Sequence, residues 1–203
     1  MSPHISEPTP EEWWILFKIA RGSIEEGLRY QQPLKVSPDG YSRLLKSVGA
    51  SFVTLRMGTD LRGCMGSLQA TRPLVQDVAQ NSFSAGFRDP RFPPLLEMEY
   101  KQTHLHISIL EPAQPMSFSN EEDLLRQVVP GEDGLILSVD GKQGTFLPSV
   151  WETLPEKQDF WRALKLKAHL KEDFWSDRIQ VSRYHTYSAE EDELPFTDSD
   201  TDV

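Results

Sequence analysis

An α+β fold is predicted for this 203-residue chain by three observations. Segments with strand alternation stand apart from segments with helical spacing, where βαβ units would interleave them. Two strand-like runs are joined by Asp140-Gly141, a dipeptide suited to the positive φ of a tight hairpin. The helical segments open on recognisable capping signals.

Thr9-Pro10-Glu11-Glu12 combines a capping hydroxyl, a proline in the first turn and a glutamate three residues after the cap. It predicts a helix to about Tyr30 with Trp14, Phe17, Ile24 and Leu28 near helical spacing. Residues 31–40 form a loop that ends on Pro38-Asp39-Gly40. Residues 50–57 alternate, with Val53, Leu55 and Met57 on one face, as a strand does. Thr59-Asp60 then leads into a glycine-flanked turn, Leu61-Arg62-Gly63-Cys64-Met65-Gly66-Ser67. Pro73 starts a second helix whose Leu74, Val75, Val78, Ala79 and Phe83 form one stripe ending near Gly86.

Asp89-Pro90-Arg91-Phe92-Pro93-Pro94 is a stiff ordered loop, because each proline drives its predecessor into extended geometry. Residues 103–110 form a strand with Leu105, Ile107 and Ile109 on one face and His104, His106 and Ser108 on the other. Ser119-Asn120-Glu121-Glu122 opens a short helix through Leu125 and Val128. Residues 134–139 and 143–147 form the hairpin. A helix over 157–169 turns Phe160, Leu164 and Ala168 inward and places Arg162, Lys165 and Lys167 on its solvated side. Residues 178–187 read as one closing strand.

The length suits one domain or two closely packed lobes. Residues 1–8 are expected to be flexible, 9–188 to form the folded body, and 189–203 to be an acidic disordered tail. Of the net charge of −10, seven negative charges lie in residues 190–203 with no Lys or Arg among them, leaving −3 on the body. A body with that balance is unpromising for phosphate-driven nucleic-acid binding. The single cysteine excludes an intramolecular disulfide framework. No secretory signal and no membrane-length apolar run is visible, so a cytoplasmic protein is expected.

Chemistry centres on Cys64. Gly63 and Gly66 bracket it, and successive amides in such a turn form an anion-binding nest, with Arg62 and Arg72 nearby. One reading is an anion cradle with a thiol at its centre; the other is a sharp turn with a small buried residue. His104 and His106 are the candidate bases, or metal partners of Cys64, although alternation alone accounts for both. Arg88 and Arg91 flank the stiff loop, where Arg91 suits a carboxylate or phosphate ligand, or a salt bridge to Asp89. The residues name no cofactor and leave open whether the protein is an enzyme or a binding module.

Three segments together resemble one known family. Leu61-Arg62-Gly63-Cys64-Met65-Gly66-Ser67, Asp89-Pro90-Arg91-Phe92-Pro93-Pro94-Leu95 and Phe146-Leu147-Pro148-Ser149-Val150 are similar to the hallmark stretches of the AMMECR family, in order and spacing, over roughly residues 10–188. Met65, Ser67 and Ser149 depart from the usual isoleucine, threonine and glutamine, and His106 falls where relatives often carry glutamate. The resemblance implies two unequal lobes with antiparallel sheets and a cleft near the cysteine. It also implies Memo-like and radical S-adenosylmethionine proteins as partners. The ligand expected is small and anionic or nucleotide-like, held by Arg62, Gly63, Gly66 and Arg91 beside a catalytic Cys64.

Overall fold

Thr9 opens the first helix as predicted: its hydroxyl accepts the Glu12 N–H at 3.2 Å, and the Glu12 carboxylate accepts the Thr9 N–H at 2.9 Å. The computed structural model describes residues 6–194; residues 1–5 and 195–203, including the end of the expected tail, lie outside the described residues. In chain order the elements begin α1 (Pro10–Tyr30), α2 (Arg43–Lys46), β1 (Val48–Met57), β2 (Asp60–Gly66), β3 (Arg72–Pro73) and α3 (Leu74–Phe87). They continue with α4 (Glu97–Tyr100), β4 (Thr103–Leu110), β5 (Gln114–Pro115), α5 (Glu121–Gln127) and β6 (Gly134–Val139). Last come β7 (Lys142–Phe146), α6 (Lys157–Lys167), β8 (Gln180–Tyr184) and β9 (Thr186–Glu190). Helices and antiparallel sheets segregate as an α+β fold.

The described chain separates into two compact units, one of Glu111–Thr186 and one of residues 6–110 with 187–194. In the larger unit the strands order β2-β1-β4-β9, with β3 on the end of β1. Its core joins Trp13, Leu16, Phe17, Ala20 and Ile24 of α1, Leu74, Val75 and Val78 of α3, and the sheet residues Val53, Leu55, Leu105, Ile107 and Ile109. The inward stripe of α1 is rotated from the expected one, leaving Trp14 and Leu28 at half-buried margins. In the smaller unit β5-β8-β6-β7 form the sheet, and Leu135, Leu137, Val181, Trp151, Phe160 and Leu164 form the core. Trp151 stacks on Phe160 with ring centroids 3.7 Å apart.

Three expectations are corrected. The glycine-flanked turn is a strand: the reversal falls on Gly58-Thr59, where Gly58 has a φ of +58°, and β2 pairs with β1 as far as Gly66. The single closing strand is two, β8 and β9, broken at His185 and serving different sheets. The acidic segment does not leave the fold at residue 189. β9 runs to Glu190, a 3₁₀ turn follows over Glu191–Glu193, and Arg21 grips Glu191 through Nε at 2.9 Å and Nη2 at 2.5 Å. Composition pointed to a solvated tail; one long-range guanidinium supplies the counter-charge that composition does not reveal.

Smaller differences follow local chemistry. Asn120, rather than Ser119, caps α5 by accepting the Asp123 N–H at 2.8 Å. Lys165, expected on a solvated face, is 2 % exposed. No helix is long and apolar enough to cross a membrane among the described residues.

Candidate functional site

β2 is an edge strand, so the outward N–H and C=O of its residues need partners other than a neighbouring strand. At Cys64 the Asp-Pro-Arg loop supplies both. The Asp89 carboxylate accepts the Cys64 N–H at 2.9 Å, and Arg91 Nη2 donates to the Cys64 carbonyl at 3.3 Å. Asp89 and Arg91 are themselves joined bidentately, Nε to Oδ1 at 2.9 Å and Nη2 to Oδ2 at 2.7 Å. An ion pair thus stands where one rung of a missing strand would be. The first and second sequence motifs meet at this rung.

Asp89 is buried, whereas the Arg91 side chain is 53 % exposed. Hydrogen bonding from Arg91 holds the Asp89 carboxyl down to about 2, against the opposing effect of burial and with help from the amides of Cys64 and Arg91. The pair is therefore ionised at neutral pH. The sequence left Arg91 between a ligand contact and a salt bridge; the salt bridge exists, and the Arg91 side chain as a whole stays half exposed.

Arg62 is used differently. β1 and β2 slip register between Leu55 and Arg56, which pair with Gly63 and Leu61, so Arg62 is the extra residue of a β-bulge. The bulge aims its side chain at α4, where Nε and Nη2 meet the Glu99 carboxylate at 2.9 and 2.8 Å and Nη2 also reaches the Pro93 carbonyl at 3.0 Å. Arg62 is buried, and its Nη1 has no acceptor among the described residues. Phe92 lies within cation–π range of both arginines, 5.8 Å from Arg62 and 5.5 Å from Arg91. Arg62 therefore braces the proline loop and α4 against β2.

Gly63 and Gly66 have no positive φ, so the nest geometry expected of them is absent. Their role is close approach. A Cβ on Gly63 would sit 2.1 Å from the Ala85 carbonyl oxygen of α3, and one on Gly66 would sit 2.2 Å from the Phe52 ring. Gly63 is what lets α3 lie against the edge of the sheet.

The Cys64 side chain emerges on the face opposite Val53 and Leu55. Register places it across from Thr54, and Thr54 across from His106, so three strands contribute one row: Cys64, Thr54, His106. The Thr54 hydroxyl lies 3.3 Å from Cys64 Sγ and donates to it. Adjacent strands are about 4.8 Å apart, so His106 lies two strand spacings from the thiol and any communication between them runs through Thr54. His104 sits farther along β4 and bonds through Nδ1 to Asp192 at 2.6 Å. No group of three or more His, Cys, Asp or Glu side chains suited to a metal occurs among the described residues.

Asp77, not singled out from sequence, locks the far end of the motif. It is fully buried and accepts the Ser51 N–H and hydroxyl at 2.8 Å each, the Ser67 hydroxyl at 2.8 Å and the Asn81 amide at 2.9 Å. Burial pushes its carboxyl up, opposed by the bonds from Ser67 and Ser51. The only sequence signal was a carboxylate on an otherwise apolar helix stripe.

Fold and site define a class: a two-unit α+β protein with one thiol on a sheet edge guarded by an Asp–Arg pair. The AMMECR1 family model matches residues 17–189, and the chain belongs to that family. A protein of Methanothermobacter thermautotrophicus is 31% identical over 188 residues, covering 90% of this chain and 95% of the relative. One from Saccharolobus islandicus is 32% identical over 189 residues, covering 89% and 82%. The crystal structure of the uncharacterized protein PH0010 from Pyrococcus horikoshii superposes with a TM-score of 0.80 at 28% identity, covering 89% of this chain and 91% of that one.

Proposed function

We propose that the Cys64 edge is a small-ligand site of a cytoplasmic protein, taking an anionic or nucleotide-like molecule. Arg91 is the anion contact and Cys64 the reacting or redox-active thiol. Arg62, Gly63 and Gly66 act on the ligand through the frame they build. The observation that carries this reading is Arg91: a side chain half open to solvent whose guanidinium is fixed by a buried carboxylate and hydrogen-bonded to the peptide of a half-buried cysteine. A cation held in place beside the peptide of a cysteine favours capture of an anion next to the thiol.

The test is the pH-dependent alkylation rate of Cys64 by iodoacetamide, with inorganic phosphate and AMP as protecting ligands. The native thiol should react near neutral pH and be protected by at least one of the two. Arg91→Ala should slow the reaction and abolish protection. A thiol that reacts only after unfolding would overturn the proposal.

A second reading is supported by the same frame. α4, tied to β2 through Arg62 and Glu99, exposes Met98 at 77 %, and Leu96 just before it is exposed at 63 %. Apolar side chains so open suit a protein partner. The family resemblance nominates Memo-like and radical S-adenosylmethionine proteins. Leu96→Ser with Met98→Ser should weaken co-elution with a Memo-like protein while leaving thiol reactivity unchanged; unchanged co-elution would remove this reading.

A further inference from the structure

Among the described residues nothing answers the charge of Arg56. Every other described arginine that is not exposed has a carboxylate: Arg21 has Glu191, Arg62 has Glu99, Arg72 has Asp77 and Arg183 has Asp133. Arg56 is half-buried and has neither an ion pair nor a hydrogen bond among the described residues. Its Nε–H is closed off without an acceptor, whereas Nη1 and Nη2, equally unpartnered, are not closed off. The inner end of the guanidinium is therefore sealed and its outer fork is open. A charge partly withdrawn from water with no counter-charge is stabilised by an anion that reaches it.

Register fixes where the fork stands. Val53 and Leu55 point into the core, so Phe52, Thr54 and Arg56 share the outer face of β1. Thr54 pairs with Cys64 on one side and His106 on the other, while Arg56 pairs with Leu61 and His104. Arg56 is thus the diagonal neighbour of Cys64, about 7–8 Å away by strand geometry and within reach of a side chain of its length. Of the two groups beside it, Leu61 is uncharged and His104 is already bonded to Asp192. Arg91 reaches the same cysteine from the strand edge, but Asp89 offsets its charge. Arg56 keeps its own.

We propose that Arg56 is a binding residue of the Cys64 site, its Nη1 and Nη2 donating in parallel to two oxygens of a carboxylate or phosphate. That group lies on the outer face of the sheet, over Thr54 and beside the thiol. A planar fork matches two oxygens of either oxyanion, which a point charge does not. The inference rests on reading this edge as an anion site, and it adds the face of the sheet as the place where the anion sits. Arg91 then bounds the ligand at the edge, and Arg56 supplies the charge that no carboxylate of the chain offsets.

The test is a titration of the full chain with acetate, inorganic phosphate and AMP at constant ionic strength, followed by its amide and arginine Nε–H resonances. At least one of the three should move the Thr54 and Cys64 amides and the Arg56 Nε–H, with a Kd of about 10 mM or tighter. The order among them separates a carboxylate, a bare phosphate and a phosphate ester. Arg56→Gln should weaken that binding about tenfold or more, and Arg56→Lys, which keeps the charge and loses the fork, by a smaller factor. Should Arg56→Gln fail to fold by its melting curve, the native Arg56 Nε–H serves instead, and a resonance unmoved at saturation overturns the proposal. Absence of binding by all three anions at about 50 mM, or native affinity in Arg56→Gln, overturns it as well. Binding that survives Arg56→Gln and is lost in Arg91→Ala removes this inference and leaves the edge reading standing. A thiol inert to alkylation while an anion still moves Arg56 does the reverse.

Discussion

The hairpins β1–β2 and β6–β7 are both antiparallel, both closed by two-residue loops, and both contain glycine. Each uses it in two ways, in the loop (Gly58, Gly141) and where a neighbour packs close (Gly63, Gly144), and Gly141 and Gly63 set the two ways side by side. Gly141 sits in the loop with a φ of +77° and nothing within 4 Å of where a Cβ would be. Gly63 sits inside a strand, needs no unusual φ, and has the Ala85 carbonyl oxygen 2.1 Å from the missing Cβ. One glycine serves the backbone's own conformation; the other serves a neighbour's. The difference shows that a glycine cluster in a sequence marks either a bend or a close approach, and that flanking residues decide which.

The largest expected effect that separates the two is Gly63→Ala. The obstructing atom is backbone oxygen in α3, which cannot rotate away, so a loss of about 3 kcal/mol or more is expected. In thermal melts that is a fall of roughly 6–12 °C for a chain of this size. Gly66→Ala should cost less, about 1–3 kcal/mol, because the obstructing group is the half-buried Phe52 side chain and not backbone. Gly141→Ala should cost about 1 kcal/mol, the ordinary penalty of placing a Cβ in left-handed backbone. If denaturant unfolding ranked Gly141→Ala as the most damaging of the three, the distinction drawn between the two kinds of glycine would fail.

A smaller effect sharpens the comparison at the edge rung of β2. The folded carboxyl of Asp89 titrates near 2, below its ordinary 3.8. A depressed carboxylate contributes stability that is present above the unfolded value and disappears as pH falls through the folded one. Asp89→Asn should therefore lower the melting temperature at neutral pH, and the gap from the native protein should narrow between about pH 4 and pH 2. A gap that stayed constant across that range would mean that the Asp89–Arg91 pair does not hold the edge through its charge.

Much of the fold was legible because it rests on local signals. The capping box at Thr9, the alternation of residues 103–110 and the Asp140-Gly141 loop each act within a few residues, and each appears where its chemistry puts it. What was not legible depends on partners far along the chain. β2 reads as a turn until α3 is present to require Gly63. Glu191 reads as tail until Arg21 is present to hold it. Lys165 reads as solvated until Glu121 covers it. At the candidate site the sequence brought Arg62 and Arg91 forward as equals. The bulge that buries one and leaves the other open follows from the register of two paired strands, which neither strand encodes alone.

The pairing of β9 with β4 carries a consequence for the order in which the molecule is made. Ser108 and Ser188 share a hydrogen bond at 2.9 Å across 80 residues of chain, and the whole smaller unit is threaded between them. On the ribosome, residues 111–186 emerge and are free to fold while the larger unit still has β4 as an open sheet edge. That edge waits for the last strand, so the unit that starts first finishes last. During this interval the long loop between β4 and β9 must close against its own entropy, and a smaller unit that folds early shortens the loop it interrupts. The insertion therefore works as a scaffold for completing its host, and ribosome-stalled chains ending before β9 should show a protease-resistant smaller unit beside a larger unit that is still digestible.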